Sequence, residues 1–351
     1  MKYGYTSNPG IGKDPAPPPW QSPRRGRQRP GQQCVWHCRP ALCGGRRRVC
    51  KNFALLLFCL LGVLGCDSGV KVHRETDPPL VVTTFTILQD LVSGVAGEGV
   101  DVRLLTPVGA EVHEWELSPS NFADIEDAAL IFYNGLDLEQ WMRQVRTTAR
   151  PGVPVVALAD NSGYPTVPIR IGELQGRPDP HLWMSPAGAR AYTEVIRDAL
   201  TARFPAHAEG FAARAVRQLA DLQELEGEIR ALLADIPDDR RVLITSEAAF
   251  LYFAEAFDFE NDAIWGNNDE EEGTPRQLAR IIDIIRNRRI PVAFYESTIS
   301  DRHVRSVAEE TGIRVAGPLF VDSLGPVGSG VESYLDMMRH NARLLREELL
   351  R

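Results

Sequence analysis

Two histidines, His113 and His181, and two carboxylates, Glu247 and Asp322, sit in short segments that stand apart from the apolar runs of the chain. The segments are residues 109–116, 179–186, 245–253 and 318–324. Imidazole nitrogen combined with carboxylate oxygen suits a divalent transition metal of borderline hardness. Taken singly, each residue also has a plainer reading. His113 and His181 could be surface or capping residues. Glu247 could sit in the first turn of a helix, favoured there by the macrodipole. Asp322 could close an Asx-turn. The four lie too far apart in sequence to form a local metal motif, so spacing alone leaves both readings open.

The elements around them limit how they can meet. Residues 80–85, 100–106, 130–133 and 153–157 read as short strands, with helical stretches such as 87–96 between them. A second series follows at 242–245, 292–295 and 314–316. Such alternation predicts parallel sheets with helices on both faces. Thr274 and Pro275 open a helix running to about Asn287, with Thr as N-cap and Pro at the first helical position. Between the two series the sequence is helical only, over 186–203 and 206–233. In the latter, Leu219, Leu222, Leu225, Ile229 and Leu232 recur at spacings of three and four. The expected fold is α/β: two lobes, each a parallel sheet flanked by helices, joined by a long rigid helix. The boundaries expected are 67–200 for the first lobe, 201–236 for the linking helix and 237–351 for the second lobe. Three of the four segments follow strands, and open parallel sheets bind ligands beyond their carboxyl ends. Two candidates fall in each half, which places a shared site in the cleft between lobes.

Charge and cysteine usage divide the chain at residue 66. Residues 1–66 carry eleven basic residues and one acidic residue, whereas the remainder carries 28 basic and 46 acidic. An acidic body argues against nucleic acid as a partner, because phosphate binding needs a concentrated positive surface. All six cysteines lie at or before Cys66, so the body has neither disulfide nor thiolate metal site. Residues 1–48, rich in Pro, Gly and Arg, read as a disordered basic extension. Translation beginning near Val49 would account for it. A basic flank, Arg46 to Lys51, precedes the apolar run 53–64, which is too short for a membrane span and fits a signal-peptide core. The run ends in Val63-Leu64-Gly65-Cys66, which resembles a bacterial lipobox with Cys66 as the lipidated residue. The expectation is an exported protein, lipid-anchored at the outer face of the cytoplasmic membrane or in the periplasm.

The four segments, in this order, resemble the substrate-binding lipoproteins of bacterial manganese, zinc and iron ABC transporters. The resemblance extends from about Leu80 to Leu350. It is carried further by Tyr133-Asn134-Gly135-Leu136-Asp137-Leu138-Glu139, Ile264-Trp265, residues 270–275 and Tyr295-Glu296-Ser297. It implies that His113, His181, Glu247 and Asp322 bind one metal ion, and that the chain, a monomer, delivers it to an ABC permease. In this family His at the third ligand position tends to accompany zinc, and Glu tends to accompany manganese or iron. With Glu247 there, Mn²⁺ is expected first and Fe²⁺ next, with Zn²⁺ able to bind because the aqueous affinity order favours it. Two departures from the family pattern stand out: Val112 precedes the first His where Asp or Pro is commoner, and Ser185 stands where many relatives have Asp. The second is expected to alter the hydrogen bonds that orient a ligand imidazole.

No enzymatic activity is expected. The alternatives are a zinc-specific receptor of the same family, a metalloenzyme, or a surface adhesin. A metalloenzyme would need an open coordination position, which four protein ligands leave little room for. Cell adhesion is compatible with a lipid anchor, although the chain offers no specific surface motif for it.

Overall fold

A computed structural model describes residues 78–266 and 273–351. The readings made for residues 1–66, the signal peptide and Cys66 included, lie outside the described residues, as does the acidic run 270–272. The described residues all belong to one compact unit.

Its first half builds a four-stranded parallel sheet in the order β2-β1-β3-β4, from Leu80–Thr83 (β1), Asp101–Leu104 (β2), Leu130–Tyr133 (β3) and Val155–Ala157 (β4). The β1 and β3 strands are buried along their whole length, as a sheet covered on both faces requires. Helices Thr86–Ala96 (α1), Pro119–Asp127 (α2), Met142–Thr148 (α3) and Leu158–Asn161 (α4) alternate with them. The second half holds two parallel strand pairs. One joins Val242–Glu247 (β5) to Glu260–Trp265 (β6), and the other joins Val292–Glu296 (β7) to Arg314–Leu319 (β8). The β5 and β7 strands pack side by side. Between these elements run the helices Leu251–Ala256 (α7), Pro275–Arg288 (α8) and Arg302–Thr311 (α9).

Helices Pro186–Arg203 (α5) and Ala208–Leu233 (α6) connect the halves, and Tyr334–Leu350 (α10) closes the chain. At 1.5 Å per residue, α6 spans about 39 Å. Its buried stripe of Phe211, Ala215, Leu222, Leu225, Ile229 and Leu233 keeps the helical period. That stripe packs on α1 and α5 from the first half and on α10 from the second. One continuous core therefore runs from Val81 through α6 to Leu349. The expected α/β architecture with parallel sheets and one long helix is the one found.

The differences from expectation are local. The β6 strand was not anticipated, because it opens on Glu260, Asn261 and Asp262 and only its last three residues are apolar and buried. The β5 strand continues through Glu247, and α7 starts only at Leu251. Glu247 is thus the last residue of a strand and not part of a helical first turn. The start of α8 is as read, with Thr274 and Gln277 forming a reciprocal capping box over Pro275.

Candidate metal centre

Each of the four residues is placed by a different element. His113 lies in the loop between β2 and α2. His181 precedes a short 3-10 turn, Leu182–Met184, after which Ser185 caps α5. Glu247 ends β5, and Asp322 follows β8. Two residues from each half converge, and all four are buried: His113 is 5% exposed, His181 0%, Glu247 4% and Asp322 3%. The Nε2 atom of His113 lies 3.5 Å from Oε1 of Glu247 and 4.0 Å from Oδ2 of Asp322. The Nε2 atom of His181 lies 3.7 Å from Oδ1 of Asp322. The two imidazole rings meet edge-on, with centroids 5.8 Å apart.

These separations suit a shared ion. Donors about 2.1–2.2 Å from one cation stand roughly 3.0–3.6 Å apart in octahedral and tetrahedral sets. Observed values begin within that range and extend slightly past it. Both ring nitrogens of His113 and Oδ1 of Asp322 are buried without a hydrogen-bond partner. Buried polar atoms are nearly always paired, so this arrangement points to a cation as the missing partner. The Asx-turn reading of Asp322 does not describe that oxygen.

The electrostatics agree. Burial, and then the negative charge of Asp322, push the Glu247 carboxyl well above its ordinary range. Burial also raises Asp322, against the opposing pull of His113 and His181. For His181, burial works against protonation, but the charge and hydrogen bond of Asp179, with Asp322 and Glu247 beyond, lift it overall. Two carboxylates crowded into a buried site repel each other, and a divalent cation between them removes that cost.

Three further buried carboxyl groups hold the ligands in place. Oδ1 of Asp179 accepts the backbone N–H of His181 at 2.8 Å and lies 2.9 Å from its Nδ1. That contact leaves Nε2 facing the site. Glu139 accepts from the Thr84 hydroxyl and from the N–H of Asn134, each at 2.7 Å. Asn134 in turn donates to the Pro180 carbonyl beside His181 (2.9 Å), and the N–H of Gln140 donates to the His113 carbonyl (3.2 Å). In the second half, Oε1 of Glu296 accepts the N–H groups of Ser246 (3.0 Å) and Glu247 (3.2 Å). Glu139 and Glu296 belong to stretches that the sequence reading had set aside, but no role was read for them. Asp179 was missed as a separate participant, although a carboxylate two residues before a histidine was the available signal.

The two departures from the family pattern have plain structural roles. Ser185 does not meet His181: its hydroxyl accepts the Ala187 N–H at 3.2 Å and lies 3.3 Å from the Tyr164 hydroxyl. Val112 is fully buried in the core, and its carbonyl accepts from Nε1 of Trp141 at 2.8 Å. Gly188 is required where α5 begins, because a Cβ there would collide with the Leu182 carbonyl. That close approach holds the His181 turn down on the helix.

Several hydrogen bonds join the halves next to the site. Nε1 of Trp183 donates to the Val321 carbonyl (2.9 Å), the Gly109 N–H to the Ser323 hydroxyl (2.7 Å), and the Tyr252 hydroxyl to the Asp179 carbonyl (2.8 Å). Among the described residues no helix is long and apolar enough to cross a membrane.

Known proteins resemble this chain in sequence and in fold. A family model described as "Zinc-uptake complex component A periplasmic" matches residues 81–348. The manganese-binding lipoprotein MntA of Halalkalibacterium halodurans is 38% identical over 297 residues, covering 84% of this chain and 96% of that one. The iron-binding protein YfeA of Yersinia pestis is 39% identical over 258 residues, covering 74% of this chain and 82% of that one. The Mn-bound periplasmic metal binding protein from Candidatus Liberibacter asiaticus superposes with a TM-score of 0.71 at 28% identity, covering 77% of this chain and 99% of that one.

Proposed function

From the premise that the chain belongs to the metal-receptor family of the periplasmic zinc-uptake component A, we propose that it is an extracytoplasmic receptor for one divalent transition-metal ion, Mn²⁺ first and Fe²⁺ next. It holds the ion through His113, His181, Glu247 and Asp322 and delivers it to an ABC permease for import. The observation that carries this reading is the convergence of four buried donors, two from each half, with the nitrogens of His113 left unpaired.

The choice of metal follows from the donor set. Two imidazoles and two carboxylates are harder than three imidazoles, and carboxylates can bind through both oxygens and raise the coordination number. Both properties favour Mn²⁺ and Fe²⁺ relative to a nitrogen-rich site. Relatives named for manganese and for iron accord with this. Zinc still binds tightly in vitro under the aqueous affinity order.

The receptor is not catalytic in this reading, because four protein donors leave little room for a reacting water. It works as a monomer, with lobes over 67–200 and 237–351 and the segment 201–236 between them as a stiff support. Lipidation of Cys66 tethers it outside the cytoplasmic membrane. Some relatives, MntA among them, are named as lipoproteins, which supports the anchor.

The test is elemental analysis of protein purified after growth with Mn, Fe and Zn supplied together, followed by competition titration. One ion per chain is expected, and His113→Ala and Glu247→Ala should each abolish stoichiometric binding. Unchanged metal content in both variants would refute the site.

A further inference from the structure

Each ligand histidine follows a carboxylate by two residues, and the two pairs differ by one methylene. Asp179 and Glu111 both accept the backbone N–H of their histidine, at 2.8 Å in each case. Asp179 also meets Nδ1 of His181. Glu111 does not do the same for His113, whose Nδ1 is buried without a hydrogen-bond partner. Instead, Oε1 of Glu111 lies 3.7 Å from Nε2 of His113, the nitrogen that also faces Glu247 and Asp322. The Glu111 side chain is 38% exposed, against 6% for Glu247 and 2% for Asp322.

Two overlapping donor groups therefore share His113. The inner one is His113, His181 and Glu247, and the outer one is Glu111, His113 and Asp322. Within each, the donor atoms all lie within 4.8 Å of one another.

We propose that Glu111 is an exchangeable outer ligand that carries the ion between solvent and the buried centre. The proposal rests on the reading of His113, His181, Glu247 and Asp322 as the metal site. Stripping a divalent cation of all its water in one step is costly, whereas replacing waters one at a time by fixed oxygens is not. Glu111 is the most exposed carboxylate of the cluster, so a hydrated ion meets it first. One of its oxygens replaces a water, and His113 and Asp322 complete the outer group. Glu247 and His181 then displace Glu111 and further water as the ion moves inward. Release runs through the same exchanges in reverse. The ion keeps its charge throughout.

The test is stopped-flow association of Mn²⁺ with the purified protein, and its release into excess chelator, for the wild type and Glu111→Gln. Glutamine keeps one oxygen for the N–H of His113, gives up the acceptor that the N–H of Glu114 uses, and is a poor ligand for the ion. Association and release should both slow by about tenfold, with one ion still bound and a much smaller change in Kd. Unchanged rates would overturn the proposal and leave Glu111 as a turn-forming residue only. Slower association with unchanged release would also overturn it, by reducing Glu111 to a steering charge. Faster release with weaker binding would overturn it as well, by making Glu111 a resident ligand. Failure of the underlying reading looks different: the wild type would bind no ion, or Glu247→Ala would keep one.

Discussion

Asp179 grips His181 twice through one carboxylate oxygen, at the backbone N–H and at Nδ1. A carboxylate can only accept, so Nδ1 carries the proton and Nε2 is left with its lone pair for a metal. Replacing Asp179 by Asn keeps the shape but allows the amide to present a donor, which releases the tautomer. Asp179→Asn should weaken Mn²⁺ binding by roughly 10–100-fold, with one ion still bound at saturation. Competition titration measures this, and an unchanged affinity would remove Asp179 from the metal centre.

Metal binding should depend on pH in a defined direction. Burial and the neighbouring Asp322 raise Glu247, and the Asp179 contact helps raise His181 despite burial. The metal-free protein therefore retains protons that the ion must expel. Lower pH favours the protonated, metal-free form, so affinity should fall as pH drops from about 8 to about 5. Calorimetry in buffers of different ionisation enthalpy should register net proton release on binding. Zero release with a pH-independent Kd would contradict the environment described for Glu247.

Glu296 makes a separate prediction for the metal-free protein. Burial pushes its carboxyl up from the ordinary 4.5 to about 7, although it accepts hydrogen bonds from Ser246 and Glu247. Between these values the folded chain holds a proton that the unfolded chain has lost. Its contribution to stability is therefore complete below pH 4.5 and is lost as pH rises towards about 7. Glu296→Gln keeps the acceptor and removes the titration. The difference in Tm between variant and wild type should shift in favour of the variant across that window. A constant difference would mean that Glu296 does not titrate there.

Tyr252 connects the second half to the His181 segment. Its hydroxyl donates to the Asp179 carbonyl and accepts from the Val167 N–H. Tyr252→Phe leaves both backbone groups buried without that partner and should cost about 1–3 kcal/mol. Denaturant unfolding of the metal-free protein measures this loss. A variant as stable as the wild type would show that water or a rearranged loop replaces the hydroxyl.

Replacing the third ligand tests the choice of metal. Glu247→His makes the donor set softer and richer in nitrogen, so the ratio of Zn²⁺ to Mn²⁺ affinity should rise by about tenfold or more. Parallel competition titrations with the two ions give that ratio directly. An unchanged ratio would mean that cavity geometry, and not donor type, sets the preference.

The resemblance of four short segments to a known family named the candidate ligands, and the sequence by itself determined the α/β class and the long helix. Those properties are local or periodic: the stripe on α6 repeats every three to four residues, and Thr274, Pro275 and Gln277 announce a helix start within four positions. Strand β6 was hidden because half of it is polar and its place in the sheet comes from pairing with β5. The placement of His113, His181, Glu247 and Asp322, two in each half, pointed to a shared cleft, but the contacts that join them did not show in the sequence. They are separated by 68, 66 and 75 positions, and only the packing of the two halves on α6 brings them together. The tertiary structure alone decided which carboxyl groups serve the ligands from behind, as Asp179, Glu139 and Glu296 do. It also decided that the extra methylene of Glu111 turns its carboxylate towards the metal-facing nitrogen, since composition cannot report where a side chain points.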